Sequence, residues 1–136
     1  LATLDDLYGA GLGFRSKFFH ETIPLLTRGF DLHALKQLTY SDAKSKLTKL
    51  HGIGEKVADC ILLFSLDHLQ AFPVDTWIVK ILRQKYFPKI VANPSKLAAA
   101  ARKEFGEFGG YAQQYLYHYA RNNMKQKTST DDSTEA

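Results

Sequence analysis

Residues 50–56 of the chain read Leu-His-Gly-Ile-Gly-Glu-Lys, between two stretches of helical apolar spacing. Two glycines two residues apart make a tight turn that side chains with a Cβ resist. Leu50 and Ile53 pin that turn to a core. The next pattern, Glu55 to about Ser65, contains Val57, Ala58, Cys60, Ile61, Leu62, Leu63 and Phe64 and has almost no polar side, which predicts a buried central helix. A hairpin of this kind can be a plain helix–helix turn. It can also be a phosphate site, because bare backbone N–H groups and the helix dipole converge at the start of the second helix.

The remaining segments are helical as well. Thr3 caps a short helix over Leu4–Tyr8 that Gly9 ends. Phe14, Phe18, Phe19, Ile23 and Leu26 predict a helix from Arg15 to about Leu26, with Pro24 kinking it or ending it early. Leu32, Leu35 and Leu38 predict a short amphipathic helix after Asp31. Ser41 is the expected cap for Asp42–Lys49, with Lys44, Lys46 and Lys49 on a solvated face. Asp75 follows Pro73-Val74 and is placed to cap Thr76–Tyr86. Asn93-Pro94-Ser95 restarts the chain before an alanine-rich helix, Lys96–Phe105. Gly109-Gly110 precedes a last helix, Tyr111 to about Met124. No segment alternates with period two. The expected fold class is all-α, a compact multi-helix domain of six to eight short helices over residues 1–124, with a disordered Ser/Thr/Asp-rich tail at 125–136.

Charge and cysteine content narrow the function. The 136 residues carry a formal charge of +4. Residues 125–136 hold two lysines against three carboxylates, which leaves +5 on residues 1–124. That balance fits a polyanionic partner or a merely basic domain. Cys60 is the only cysteine, so the chain can form neither an internal disulfide nor a cysteine-held zinc or iron–sulfur site. A lone cysteine fits a reducing, intracellular compartment. No apolar run reaches the ~18 residues of a membrane span. His20, His33, His51, His68 and His118 lack metal-ligand spacing and read as surface or turn residues.

Two residues carry the chemistry. Lys56 lies in the first turn of the apolar helix, where burial and the helix dipole disfavour an ammonium and favour the free amine a nucleophile needs. The bland alternative is a stem that packs while the ammonium reaches water. Asp75 is an N-cap, and a carboxylate there can also steady a positive charge developing on a sugar. Trp77, Phe14, Tyr111 and Tyr117 fit core positions or base-stacking ones. Cys60 fits a small buried hydrophobe.

Leu50-His51-Gly52-Ile53-Gly54-Glu55-Lys56-Val57-Ala58-Asp59-Cys60, with Pro73-Val74-Asp75 downstream, resembles the helix-hairpin-helix, Gly/Pro-rich loop, aspartate superfamily of DNA glycosylases. Within it the chain is most similar to the 8-oxoguanine DNA glycosylase/AP lyases. The likeness covers most of residues 9–124, including Gly11-Leu12-Gly13-Phe14-Arg15 and Gly110-Tyr111-Ala112-Gln113-Gln114-Tyr115-Leu116-Tyr117. The resemblance implies base-excision repair of duplex DNA carrying an oxidised base, by a monomer working where the DNA is. Lys56 would attack C1′ and form a Schiff base, and Asp75 would assist base loss. Gln113 and Tyr117 would bind the flipped base, with Cys60 on its opposite side. Phe14 and Arg15 would be a wedge and a reader of the orphaned cytosine. His51, Gly52, Ile53, Gly54 and Trp77 would lie against the DNA. Carbonyls of Thr48, Leu50 and Ile53 would hold a monovalent cation; no cofactor is otherwise required. The chain opens at Leu1, close to where the resemblance begins, which predicts a C-terminal part of a longer protein. A non-catalytic DNA-binding module and a glycosylase for another damaged base are the alternatives.

Overall fold

The computed structural model describes residues 2–91 and 93–124. The expected tail lies outside them. Among the described residues there are seven α-helices and no strand: α1 Leu4–Gly9, α2 Arg15–Thr27, α3 Tyr40–Leu47, α4 Glu55–Ser65, α5 Thr76–Lys85, α6 Pro94–Phe105 and α7 Gly109–Met124. The chain is all-α, as its spacing predicts.

Local chemistry explains most boundaries. Thr3 accepts from the Asp6 amide while the Asp6 side chain accepts from the Thr3 amide, a reciprocal capping box. Asp75 Oδ1 accepts from the Ile78 amide at 2.8 Å. Three expectations are corrected. Thr39, not Ser41, caps α3: its hydroxyl accepts from the Asp42 amide and donates to the Asp42 carboxylate at 2.7 Å. Asn93 and Pro94 are the cap and first residue of α6, which therefore starts before Lys96. The segment after Asp31 is a 3-10 turn, His33–Gln37, because Asp31 Oδ1 takes the amides of both His33 and Ala34. Pro24 sits inside α2, which runs on to Thr27.

The core has two clusters. One joins α3 and α4 through Leu35, Ala43, Leu47, Leu50, Ala58, Leu62, Leu66 and Ala71. The other joins α5, α6 and α7 through Phe72, Ile78, Leu82, Leu97, Ala101 and Ala120. The loop 66–75 passes from the first cluster to the second. His68 is buried in this loop, with its ring Nε2 against the Leu35 carbonyl at 3.1 Å, rather than on the surface.

Helix α4 is not buried all round, contrary to its composition. Ala58, Asp59 and Leu62 are buried, but Val57 and Phe64 are exposed, Phe64 by 60%. Its apolar sides face two concavities described below. Nor is Lys44 on a solvated face. Its side chain is only 12% exposed and reaches Asp59 at 3.1 Å and Glu55 at 3.0 Å across the α3–α4 interface. Asp59 also accepts from the Tyr40 hydroxyl at 2.6 Å.

Gly110 fixes how α7 meets α4. Its amide donates to the Leu69 carbonyl at 2.7 Å. A Cβ there would lie 2.1 Å from Leu63 Cδ1 and 2.9 Å from the Leu69 carbonyl oxygen. Because a backbone atom cannot swing aside as a side chain can, Gly110→Ala is expected to cost about 2–3 kcal/mol, read as a lower Tm in thermal unfolding.

Candidate active site

The α3–α4 connection is a tight hairpin. The Ile53 amide donates to the Leu50 carbonyl at 3.1 Å, and Gly52 takes φ +83°. A Cβ on Gly52 would fall 2.4 Å from the Phe18 ring, so glycine is needed for packing as well as for the turn. The first helical hydrogen bond of α4 runs from the Ala58 amide to the Gly54 carbonyl. The amides of Glu55, Lys56 and Val57 therefore point out of the helix end, and Gly54 supplies no side-chain cap.

The loop and α7 close against α4 to make a cavity of about 250 Å³. Its walls are Lys56, Cys60 and Phe64 from α4, Pro73 and Asp75 from the loop and the α5 cap, and Gln113, Gln114 and Tyr117 from α7. Five residues singled out in the sequence thus surround one space: Lys56, Cys60, Asp75, Gln113 and Tyr117. They come together because α4 belongs to one core cluster and α5 and α7 to the other, and the cavity lies where those clusters meet. Phe64, Pro73 and Gln114 were not anticipated. A helical projection places Phe64 one turn after Cys60, and Gln114 adjoins Gln113, so both carried a signal.

Lys56 is exposed, so the expected burial of this lysine does not hold. Asp75 is half-buried; its Oδ1 is taken by the cap, and no other hydrogen bond reaches the carboxylate among the described residues. Burial pushes the Cys60 thiol up; nearby Lys56 pulls it down, while Asp59 and Asp75 add to the rise. The net shift is upward, so at neutral pH Cys60 is a protonated thiol. Gln113 is 5% exposed. Its Nε2 donates to the Pro73 carbonyl at 2.9 Å, and its Oε1 accepts from Gln114 Nε2 at 2.6 Å. Tyr117 is half-buried, with its hydroxyl accepting from Arg121 Nη1 at 3.4 Å.

A second concavity, of about 480 Å³, lies between α2 and the hairpin. Phe14, Arg15, Phe18, His51, Gly52, Ile53 and Val57 are among its walls. Phe14 is 69% exposed at the start of α2, and the Arg15 guanidinium lies 5.2 Å from its ring centroid. Phe18 meets His51 edge-on at 4.9 Å, and His51 pairs with Glu21. The structure therefore groups Phe14, Arg15 and the hairpin on the side of α4 next to the cavity. Trp77 is elsewhere: it packs partly buried against the α5–α7 cluster, with Lys80 Nζ 5.0 Å from its ring, and does not line the cavity. Tyr111 is exposed.

Among the described residues, no three His, Cys, Asp or Glu side chains gather as metal ligands, and no helix is long and apolar enough to cross a membrane. Backbone carbonyls are a separate matter. Those of Thr48, Leu50 and Ile53 all belong to the hairpin; Leu50 accepts the turn hydrogen bond, and the other two accept none among the described residues. Neutral oxygen donors of this kind suit a hard monovalent cation.

No family model matches the chain. It is 38% identical over 119 residues to a probable N-glycosylase/DNA lyase of Methanothermobacter thermautotrophicus, covering 88% of this chain and 38% of that protein. It is 34% identical over 124 residues to the N-glycosylase/DNA lyase OGG1 of Arabidopsis thaliana, covering 83% of this chain and 34% of that one. Among solved structures, the 8-oxoguanine glycosylase/lyase of Clostridium acetobutylicum, in complex with dsDNA containing cytosine opposite to 8-oxoG, superposes with a TM-score of 0.85 at 38% identity. That match covers 90% of this chain and 42% of the other. The chain spans about two-fifths or less of the length of these relatives.

Proposed function

On the premise that the chain belongs to the helix-hairpin-helix family of 8-oxoguanine DNA glycosylase/lyases, we propose that its cavity receives an oxidised purine flipped out of duplex DNA and cuts it from its sugar. The observation that carries this reading is the convergence of a lysine, a carboxylate and a base-sized pocket walled by an amide and an aromatic ring.

Extrusion is required because the glycosidic bond of a stacked base is out of reach, and it costs a few kcal/mol. Phe14, projecting from the start of α2, fills the gap as a wedge, and Arg15 contacts the orphaned cytosine. The free amides at the start of α4 take a backbone phosphate. The carbonyls of Thr48, Leu50 and Ile53 would hold a monovalent cation, which supplies positive charge beside that phosphate.

The free amine of Lys56 attacks C1′, and the C1′–N bond breaks as its electron pair leaves with the base. The second oxygen of Asp75 faces the sugar and steadies its positive character while that bond lengthens. Ring opening gives an imine between Lys56 and C1′. The imine makes the C2′ proton acidic; its loss expels the 3′ phosphate by β-elimination and cuts the strand. Gln113 hydrogen-bonds the base edge, Tyr117 stacks on one face, and the Cys60 thiol meets the other.

The test is borohydride trapping on duplexes with 8-oxoguanine, guanine or an abasic site opposite cytosine. The proposal predicts an adduct with the damaged and abasic duplexes and little with guanine. Salt-dependent binding to all three without any adduct would leave only a DNA-binding module.

A further inference from the structure

We infer that Gln114, to which the preceding reading gives no role, is a positioning residue that fixes which way round the Gln113 amide faces the base, and so selects a 6-oxopurine edge over a 6-aminopurine edge. The inference rests on the proposal that the cavity receives a purine.

A primary amide has a donor end and an acceptor end of nearly equal size, and a half-turn exchanges them. A 6-oxopurine presents an acceptor at C6 beside a donor at N1. A 6-aminopurine presents the reverse. A pocket that reads the base with one glutamine must therefore hold that glutamine in one orientation, or it accepts both edges.

Here two neighbours hold it. The Pro73 carbonyl can only accept, so the end of Gln113 that meets it at 2.9 Å must be Nε2. That leaves Oε1 facing Gln114, whose Nε2 donates at 2.6 Å. One N–H and one lone pair of Gln113 remain, in fixed order. Because Gln113 is 5% exposed, water cannot readily replace either partner. Without the Gln114 donor, a half-turn of Gln113 gives up only the bond to Pro73. With it, a half-turn gives up both bonds and sets oxygen against oxygen at Pro73. Gln114 is itself exposed at the rim, between the base cavity and a polar groove of about 290 Å³ lined with Tyr117, His118, Arg121 and Asn122. It can therefore be changed without disturbing the core.

The test compares the unmodified chain with Gln114→Ala and Gln114→Glu. The glutamate accepts but cannot donate, so it favours the reversed amide. Borohydride trapping is measured on duplexes carrying 8-oxoguanine, 8-oxoadenine or an abasic site. The expected result is an approximately tenfold fall in the 8-oxoguanine to 8-oxoadenine ratio for Gln114→Ala, and a larger fall for Gln114→Glu, after normalising to the abasic duplex. An unchanged ratio, or an equal loss on all three duplexes, would overturn the inference. A second measurement needs no activity. In 15N-labelled chain, the Gln113 side-chain amide protons should exchange slowly with solvent and should exchange faster in Gln114→Ala. Unaltered exchange would also overturn it. If the unmodified chain traps no duplex at all, that result counts against the glycosylase reading, and the exchange measurement decides the role of Gln114.

Discussion

Lys56→Gln is expected to abolish the borohydride-trapped adduct on 8-oxoguanine and abasic duplexes, a loss of at least roughly 10³-fold, while leaving DNA binding nearly intact. Lys56 is exposed at the mouth of the cavity, so its replacement removes an amine without opening a hole in the core. Lys56→Arg separates charge from nucleophilicity, because a guanidinium stays protonated and cannot attack. It should bind DNA as well as the unmodified chain and trap none of it. Asp75→Asn completes the series. Asparagine caps a helix about as well as aspartate, so Tm should hold. The charge facing the sugar is lost, and base excision should fall by about 10²-fold. A large fall in Tm in that variant would mean that the carboxylate matters to the fold and not to the sugar.

The second large effect is structural. Asp59 is 1% exposed and depends on Lys44 and the Tyr40 hydroxyl. Lys44→Met leaves that carboxylate buried with one neutral partner, and the expected cost is about 3–5 kcal/mol. Replacing the pair together, Lys44→Met with Asp59→Leu, should recover much of the loss, because two apolar groups need no partner. Failure of the single change to lower Tm would show that the pair contributes nothing.

The same cluster sets a pH dependence. Burial, then the hydrogen bond to Asp59 and its charge, push the Tyr40 hydroxyl up to about 12, with Lys44 opposing. Burial alone pulls Lys44 down, but the Tyr40, Asp59 and Glu55 contacts outweigh it, and the net shift is upward. Both folded values lie above the unfolded ones. Their contribution to stability is therefore complete below about pH 10 and is lost as pH rises towards 12. A spectrophotometric titration of the seven tyrosines should show one ionising late, and Asp59→Asn should bring it earlier.

Much of this architecture was legible in the chain, for identifiable reasons. Helices announce themselves by local spacing, and Thr3 and Asp75 by the short polar side chains that satisfy the first amides. The start of α3 was misplaced because Thr39 and Ser41 can both cap; Asp42, three residues after Thr39, completes a reciprocal pair that Ser41 lacks. The character of α4 was misjudged because an all-round apolar helix fits a core or a wall between two concavities equally well. The Lys44–Asp59 pair could not be read, since residues 15 apart on different helices meet only after those helices dock. The cavity was partly legible. Its residues could be named from their resemblance to a family pattern, yet Pro73 and Gln113 lie 40 positions apart and only packing shows their contact. Gln114 escaped notice because its role is exerted on a neighbour and not on the base.

The most direct measurement is the site of the covalent adduct. The chain is incubated with an 8-oxoguanine duplex and borohydride, digested, and the modified peptide is mapped by mass spectrometry. The account predicts one deoxyribose remnant, on Nζ of Lys56. An adduct on any other amine, such as Lys80 or the amino terminus, or none under conditions where the duplex is bound, would contradict it.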